Sequence, residues 1–142
     1  MALIPEVDER ASRNKARDML KSYRRLSRMA GRPLVDYQSP TIDDMPKAQS
    51  FRNNTEAGLI SRLSKRFDAE AEMRVIDNAL ALIPFRSHWV LYFSYCTPEE
   101  LTTWQVADRL GVEGPKVVDY LKHIALLQFA EAYPEYRLMV FK

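Results

Sequence analysis

Residues 102–124 read TTWQVADRLGVEGPKVVDYLKHI, and their spacing predicts two helices set at an angle across a glycine turn. Thr102 supplies a capping hydroxyl, and Gln105 three residues on completes a capping box. Ala107 falls where two helices cross closely and only a small side chain fits. Gly111, directly after Leu110, stands where a tight turn needs positive φ. Val112 then turns back toward the core. Gly114 and Pro115 restart the chain as N-cap and first helical residue, and Val117, Val118, Leu121 and Ile124 recur at helical spacing. A small residue, then glycine, then a β-branched residue at these steps is the pattern of a helix-turn-helix, which presents its second helix to the DNA major groove. Two core helices joined by a glycine turn fit the same residues, so both readings stay open here.

Downstream, a last helix is expected from Gly114 to about Tyr133, with its later half, ALLQFAEA, buried. Beyond Pro134, YRLMVF reads as a short extended tail, a strand packed on the domain. Upstream, Phe85–Tyr95 carries Trp89, Tyr92, Phe93 and Tyr95. That density suits the support helix of a tri-helical core better than a platform for stacking bases, which needs exposed rings on a sheet or groove.

Residues 55–83 form a long helix, started by Asn54 or Thr55 and ended by Pro84. Ile60, Leu63, Phe67 and Ala71, then Ile76, Leu80 and Ile83, make a stripe for packing in a bundle or pairing two chains. The stripe weakens over Ala69–Met73, which argues against a sustained coiled coil. Residues 32–54 contain Pro33, Pro40 and Pro46 and read as a linker, with Ile42 and Met45 apolar enough to dock. Its Asp43–Asp44 pair is read as solvated rather than metal-binding. Residues 1–31 form a basic amphipathic helix from about Glu9 to Ala30, capped by Asp8 and ended by Gly31. Ala16, Met19, Leu20, Tyr23, Leu26 and Ala30 are its apolar stripe. Arg10, Arg13, Arg17, Lys21, Arg24 and Arg28 form a second, cationic one. The fold expected is therefore all-α: a helix-turn-helix domain over 84–142 preceded by two long helices, with a short C-terminal strand.

The 142 residues are 46% hydrophobic and 28% charged, with four glycines, which suits a helical domain with a real core. The net charge of +2 hides a gradient: residues 1–35 carry nine Lys/Arg against four Asp/Glu. The cationic excess thus lies at the amino end rather than in residues 102–124. No apolar run approaches the roughly 20 residues of a membrane span. MALIPEVDERASRNK has charges where an export signal has its apolar stretch. Cys96 is the sole cysteine, so neither an internal disulfide nor a cysteine-based zinc site is available. A reducing, cytoplasmic location is expected.

Catalytic patterns are missing. No HExxH, GxSxG or glycine-rich phosphate loop occurs, and His88 and His123 stand far apart. Cys96 reads as a half-buried structural thiol. No enzyme, cofactor or metal is expected. Recognition is expected instead: Lys116, Tyr120, Lys122 and His123 approach base edges or nearby phosphates of double-stranded DNA. Thr102, Thr103 and Gln105 anchor the backbone from the other side. The ridge from Arg10 to Arg28 supplies phosphate contacts, unless it faces an acidic protein or only water.

Over its full length the chain resembles the ArpU-type autolysin regulators of phages and prophages of Gram-positive bacteria. The likeness rests on YRRLSRMAG, DMPKA, RFDAEAEM, ALLQFAEAY and a short ending in VFK, in that order. The resemblance implies a regulator of late packaging and lysis genes inside a bacterial host. It also implies a carboxyl half similar to the promoter-reading tail domain of sigma factors. The family's reading helix commonly carries several Ser, Thr, Tyr, Arg or Lys residues on its outward face. Here the first turns offer Lys116, Asp119, Tyr120, Lys122 and His123, and Asp119 repels phosphates while able to accept from a cytosine amino group. Two alternatives accompany this reading: an adaptor that acts on RNA polymerase without reading bases, and a small DNA-packaging subunit assembled as a ring. A homodimer through the long helix is compatible with each.

Overall fold

In the computed structural model, residues 5–35 and 56–142 are described, and they build an all-α protein. Its elements are α1 (Glu9–Lys21), α2 (Tyr23–Ala30), α3 (Glu56–Leu82), α4 (Phe85–Leu91), α5 (Thr103–Leu110) and α6 (Pro115–Ala132). A π-turn over Tyr92–Cys96 extends α4, and a 3₁₀ turn over Pro134–Tyr136 follows α6. The expected readings at residues 36–55, including Ile42, Met45, the Asp43–Asp44 pair and the start of the long helix, lie outside the described residues.

The single helix expected from Glu9 to Ala30 is two helices. Ser22 hydroxyl donates to the Met19 carbonyl, and Ser22 N–H donates to the same oxygen at 3.1 Å. A side chain that competes for a carboxyl-side carbonyl bends a helix at that point. Both outer ends are as expected. Asp8 accepts from Ala11 N–H at 3.1 Å, and Gly31 stops α2 at φ +67°. The Arg66 guanidinium lies over Gly31 and its Nε donates to the Ala30 carbonyl at 2.8 Å, so a Cβ at 31 would meet Arg66 at 2.4 Å.

The core joins all six helices. Ala16 and Leu20 of α1, Met73 and Ile76 of α3, Val90 and Leu91 of α4, and Val118, Leu126 and Phe129 of α6 are fully buried. Each large side chain among these stabilises by about 1.5–3 kcal/mol relative to leaving it exposed. Polar ties pin α2 to α3: Tyr23 Oη donates to Asp77 Oδ1 at 2.7 Å, and Arg32 pairs with Asp77 at 2.8 Å. Tyr133 Oη donates to Glu72, locking the end of α6 onto α3.

The stripe expected along α3 holds only in its second half. Ala69, Met73, Ile76, Ala79, Leu80 and Ile83 are buried, whereas Ile60, Phe67 and Ala71 are exposed. The second half is where α2, α4 and α6 share a core with α3. The expected tail strand is a single antiparallel bridge between Val7 and Phe141. Asp8 N–H donates to the Val140 carbonyl at 2.7 Å, and Val140 N–H donates to Ser12 Oγ at 2.8 Å. These bonds tie the start of α1 to the segment after α6. In consequence α1 lies directly against α6.

Candidate nucleic-acid interface

The turn between α5 and α6 follows from local chemistry. Thr102 Oγ1 accepts from Gln105 N–H at 3.2 Å while Gln105 Oε1 accepts from Thr102 N–H at 2.8 Å, a complete capping box. At the other end Gly111 sits at φ +70°, its N–H donating to the Asp108 carbonyl at 3.2 Å. Val112 N–H donates to the Ala107 carbonyl at 3.0 Å, which completes a Schellman cap. Ala107 is buried and Val112 half-buried, as their positions predict. Gly114 is the N-cap of α6 in extended backbone, and Pro115 is the first helical residue.

Helix α6 has two faces. Val118, Ala125, Leu126, Phe129 and Ala130 hold it to the core, packed on α4, α1 and α5. On the opposite side Lys116, Asp119, Tyr120 and His123 are exposed, with Tyr120 at 64%. Their steps of three and four put them on one outward stripe. Ile124, expected among the inward residues, lies at its edge with 37% exposure. Nothing among the described residues closes off the first turns of this stripe.

The remaining expected site residues divide. Thr102 and Gln105 are exposed, but each already serves the capping box, and Thr103 is half-buried. Lys122 is half-buried, with its ammonium 5.6 Å from the Tyr95 ring centre. Of the amino-terminal cations, Arg10, Lys21 and Arg28 are exposed. Arg13 is half-buried and pairs with Glu9 at 3.6 Å. Arg24 is committed inward: Nε donates to the Thr97 carbonyl at 2.7 Å and Nη2 to Thr97 Oγ1 at 3.2 Å. The stripe of six is thus interrupted rather than one continuous cationic edge.

Trp104 was missed by the sequence reading. It is 67% exposed and its ring edge lies beside Gly114, at the entry to α6. Its phase was visible, since Thr103, Val106, Ala107 and Leu110 form the inward stripe of α5 and position 104 falls off it. An indole on solvent adds an apolar surface at the mouth of the turn.

Cys96 is fully buried rather than half-buried. Burial, and the nearby Asp77 charge, push its thiol well above the ordinary cysteine range, with Arg24 acting in the other direction. A thiol held neutral in this way is a poor nucleophile. Among the described residues, no group of three or more His, Cys, Asp and Glu side chains is arranged to hold a metal ion. No helix of the described residues is long and apolar enough to cross a membrane.

No family model and no solved structure matches the chain. Two relatives do. A protein of Enterococcus hirae named "Putative autolysin regulatory protein ArpU" is 39% identical over 142 residues, covering all of both chains. A protein of Streptococcus phage O1205 with the same name is 27% identical over 140 residues, covering 97% of this chain and 98% of its own. Both names describe regulators.

Proposed function

Because the chain belongs to the ArpU family of autolysin regulatory proteins, we propose that it regulates transcription by binding promoter DNA through the α5–turn–α6 unit. The observation that carries this reading is the exposed stripe of α6, with Lys116, Tyr120 and His123 pointing away from a back face anchored in the core. In this reading α6 enters the major groove of a duplex upstream of late packaging or lysis genes. A phage source for one relative fits such a target. Lys116 and His123 offer donors to guanine N7 and O6, and Tyr120 offers a ring to a thymine methyl. Asp119 accepts from a cytosine amino group and disfavours other bases at that step.

Footprinting over the upstream region of the host element's own late genes tests binding and locates the site together. Lys116→Ala with Tyr120→Ala should weaken binding to that site by about 30-fold or more, since each good base contact is worth about 1–3 kcal/mol and two are lost. Absence of any protected region, at protein concentrations that bind polymerase, sinks the reading.

A second reading is favoured by the exposed Trp104 beside Gly114, at the entry to the helix that carries Asp119: apolar and charged surface together also suit a protein partner. There the chain acts as an adaptor on RNA polymerase. The chain alone then protects no duplex, and the same double variant loses polymerase binding.

A further inference from the structure

Helix α1 and helix α6 are far apart in sequence, yet they meet where both carry positive charge. Lys122 lies three residues after Asp119, about 60° further round α6 from the exposed stripe. Its ammonium lies 5.6 Å from the centre of the buried Tyr95 ring, a cation–π contact that restrains its swing. Arg17 of α1 reaches the Tyr95 hydroxyl closely enough to favour its ionised form, against the burial that holds it neutral. Arg17 and the exposed Lys21 are both near enough to Lys122 to repel its charge.

The three cations have little to neutralise them. Arg17 donates to the Asn14 side-chain oxygen at 3.2 Å, an uncharged partner. Asp119 attracts Lys122 from one side without an ion pair. Among the described residues, no carboxylate stands within ion-pair distance of Arg17, Lys21 or Lys122. The other members of the amino-terminal stripe differ: Arg13 and Arg24 are engaged elsewhere, and Arg10 and Arg28 lie at its two ends. Gathering three like charges at one seam between two helices is costly in the free protein, and anions with several acceptor oxygens relieve it.

We infer that Arg17, Lys21 and Lys122 form one phosphate-binding cluster, drawn from two helices at the seam beside Tyr95, that grips neighbouring DNA backbone phosphates, about one per cation, beside the groove entered by α6. The inference rests on the DNA reading above and adds to it. The amino-terminal helix becomes part of the interface rather than a diffuse electrostatic tail, and it fixes the orientation of α6 on the duplex. Contacts of this kind position the protein and carry no sequence information.

The test is the salt dependence of binding to a fluorescently labelled duplex of random sequence, for the full chain, between about 50 and 200 mM salt. Arg17→Gln with Lys21→Gln should reduce the slope of log K against log salt by about 1.8, and adding Lys122→Met should bring the reduction to about 2.7. Methionine fills the place of the half-buried Lys122 side chain without its charge, and matched thermal midpoints verify that the fold is retained. Arg10→Gln with Arg28→Gln removes as much charge from α1 and α2 and should change the slope by less than half as much. Equal changes for the two pairs overturn the cluster in favour of a diffuse ridge.

Titration with inorganic pyrophosphate, read by NMR of the Tyr95 ring, separates the two claims. If Tyr95 shifts in the parent chain and not in the triple variant, the cluster stands even where no duplex binds, and the DNA reading alone falls. If the triple variant binds duplex with the parent's slope, the cluster falls and the DNA reading stands. Stronger displacement of pyrophosphate by poly-glutamate than by duplex overturns the assignment to phosphate.

Discussion

Replacement of Gly111 tests the turn on which the orientation of α6 depends. Its φ is +70°, and nothing lies within 4 Å of the place where a Cβ would sit. The cost of a side chain there is thus backbone strain alone. Left-handed backbone costs an L-residue about 1–2 kcal/mol. Against that, alanine restricts the unfolded chain and recovers about 0.4–1 kcal/mol. Gly111→Ala should therefore lose about 1 kcal/mol, or roughly 3–4 °C in thermal midpoint for a chain of this size. Asparagine, which tolerates the left-handed region, should lose less, and valine, β-branched, should lose more. Gly31→Ala adds a collision, because its Cβ would meet the Arg66 guanidinium at 2.4 Å. It should cost more than Gly111→Ala despite a similar φ. Urea denaturation followed by circular dichroism measures all four variants. An alanine variant as stable as the parent, or valine no worse than alanine, refutes the left-handed turn. Equal losses at positions 31 and 111 refute the role given to Arg66.

Thr102→Ala removes one arm of the capping box and should cost about 1 kcal/mol by the same denaturation, with Thr102→Ser nearly neutral; a harmless alanine would show that the box is idle. Tyr23→Phe deletes the donor to Asp77 while leaving Arg32 paired, and a loss of about 1–2 kcal/mol is expected, larger than that of Tyr136→Phe on the surface. Alkaline pH should destabilise the protein through Cys96. Its thiol stays protonated in the fold while the unfolded chain ionises above the ordinary value of 9.0, so the unfolded state binds fewer protons and stability falls as pH rises. The slope from this one group approaches about 1.4 kcal/mol per pH unit. Lys122 acts oppositely, since burial lowers its pKa, but it is common to the parent and Cys96→Ala chains. Between pH 9 and 10 the two stability curves should therefore converge by about that slope; parallel curves would show that the thiol is not held neutral.

The parts of the site that were legible in the sequence are those whose hydrogen bonds close within a few residues. Asp8 capping α1, the Thr102–Gln105 box and the Gly111 cap each satisfy backbone groups from a neighbour three to five positions away, and Pro115 opens α6 where its missing N–H has no partner to lose. Helical phase did the same for the α6 stripe, because its outward residues needed only the inward ones to be apolar. The break at Ser22 was harder, since serine inside a helix is unremarkable until its hydroxyl takes a carbonyl. The stripe of α3 failed at Ile60 and Phe67 because apolar spacing shows which residues can pack, not how far the partner helix extends.

The amino-acid order alone thus determined where α1 starts, where α2 ends, both ends of α5, the start of α6 and which side of α6 looks outward, for those depend on short-range sterics and backbone pairing. Tertiary packing decided what the charges do. Arg24 is drawn to Thr97 across 73 residues of chain, while Arg17 and Lys21 are brought beside Lys122 because the tail bridge and a shared core press α1 onto α6. Periodicity gives all six cations equal standing on a helix surface. Only contacts between distant segments, each contributed by burial of apolar surface elsewhere, select which of them share one place.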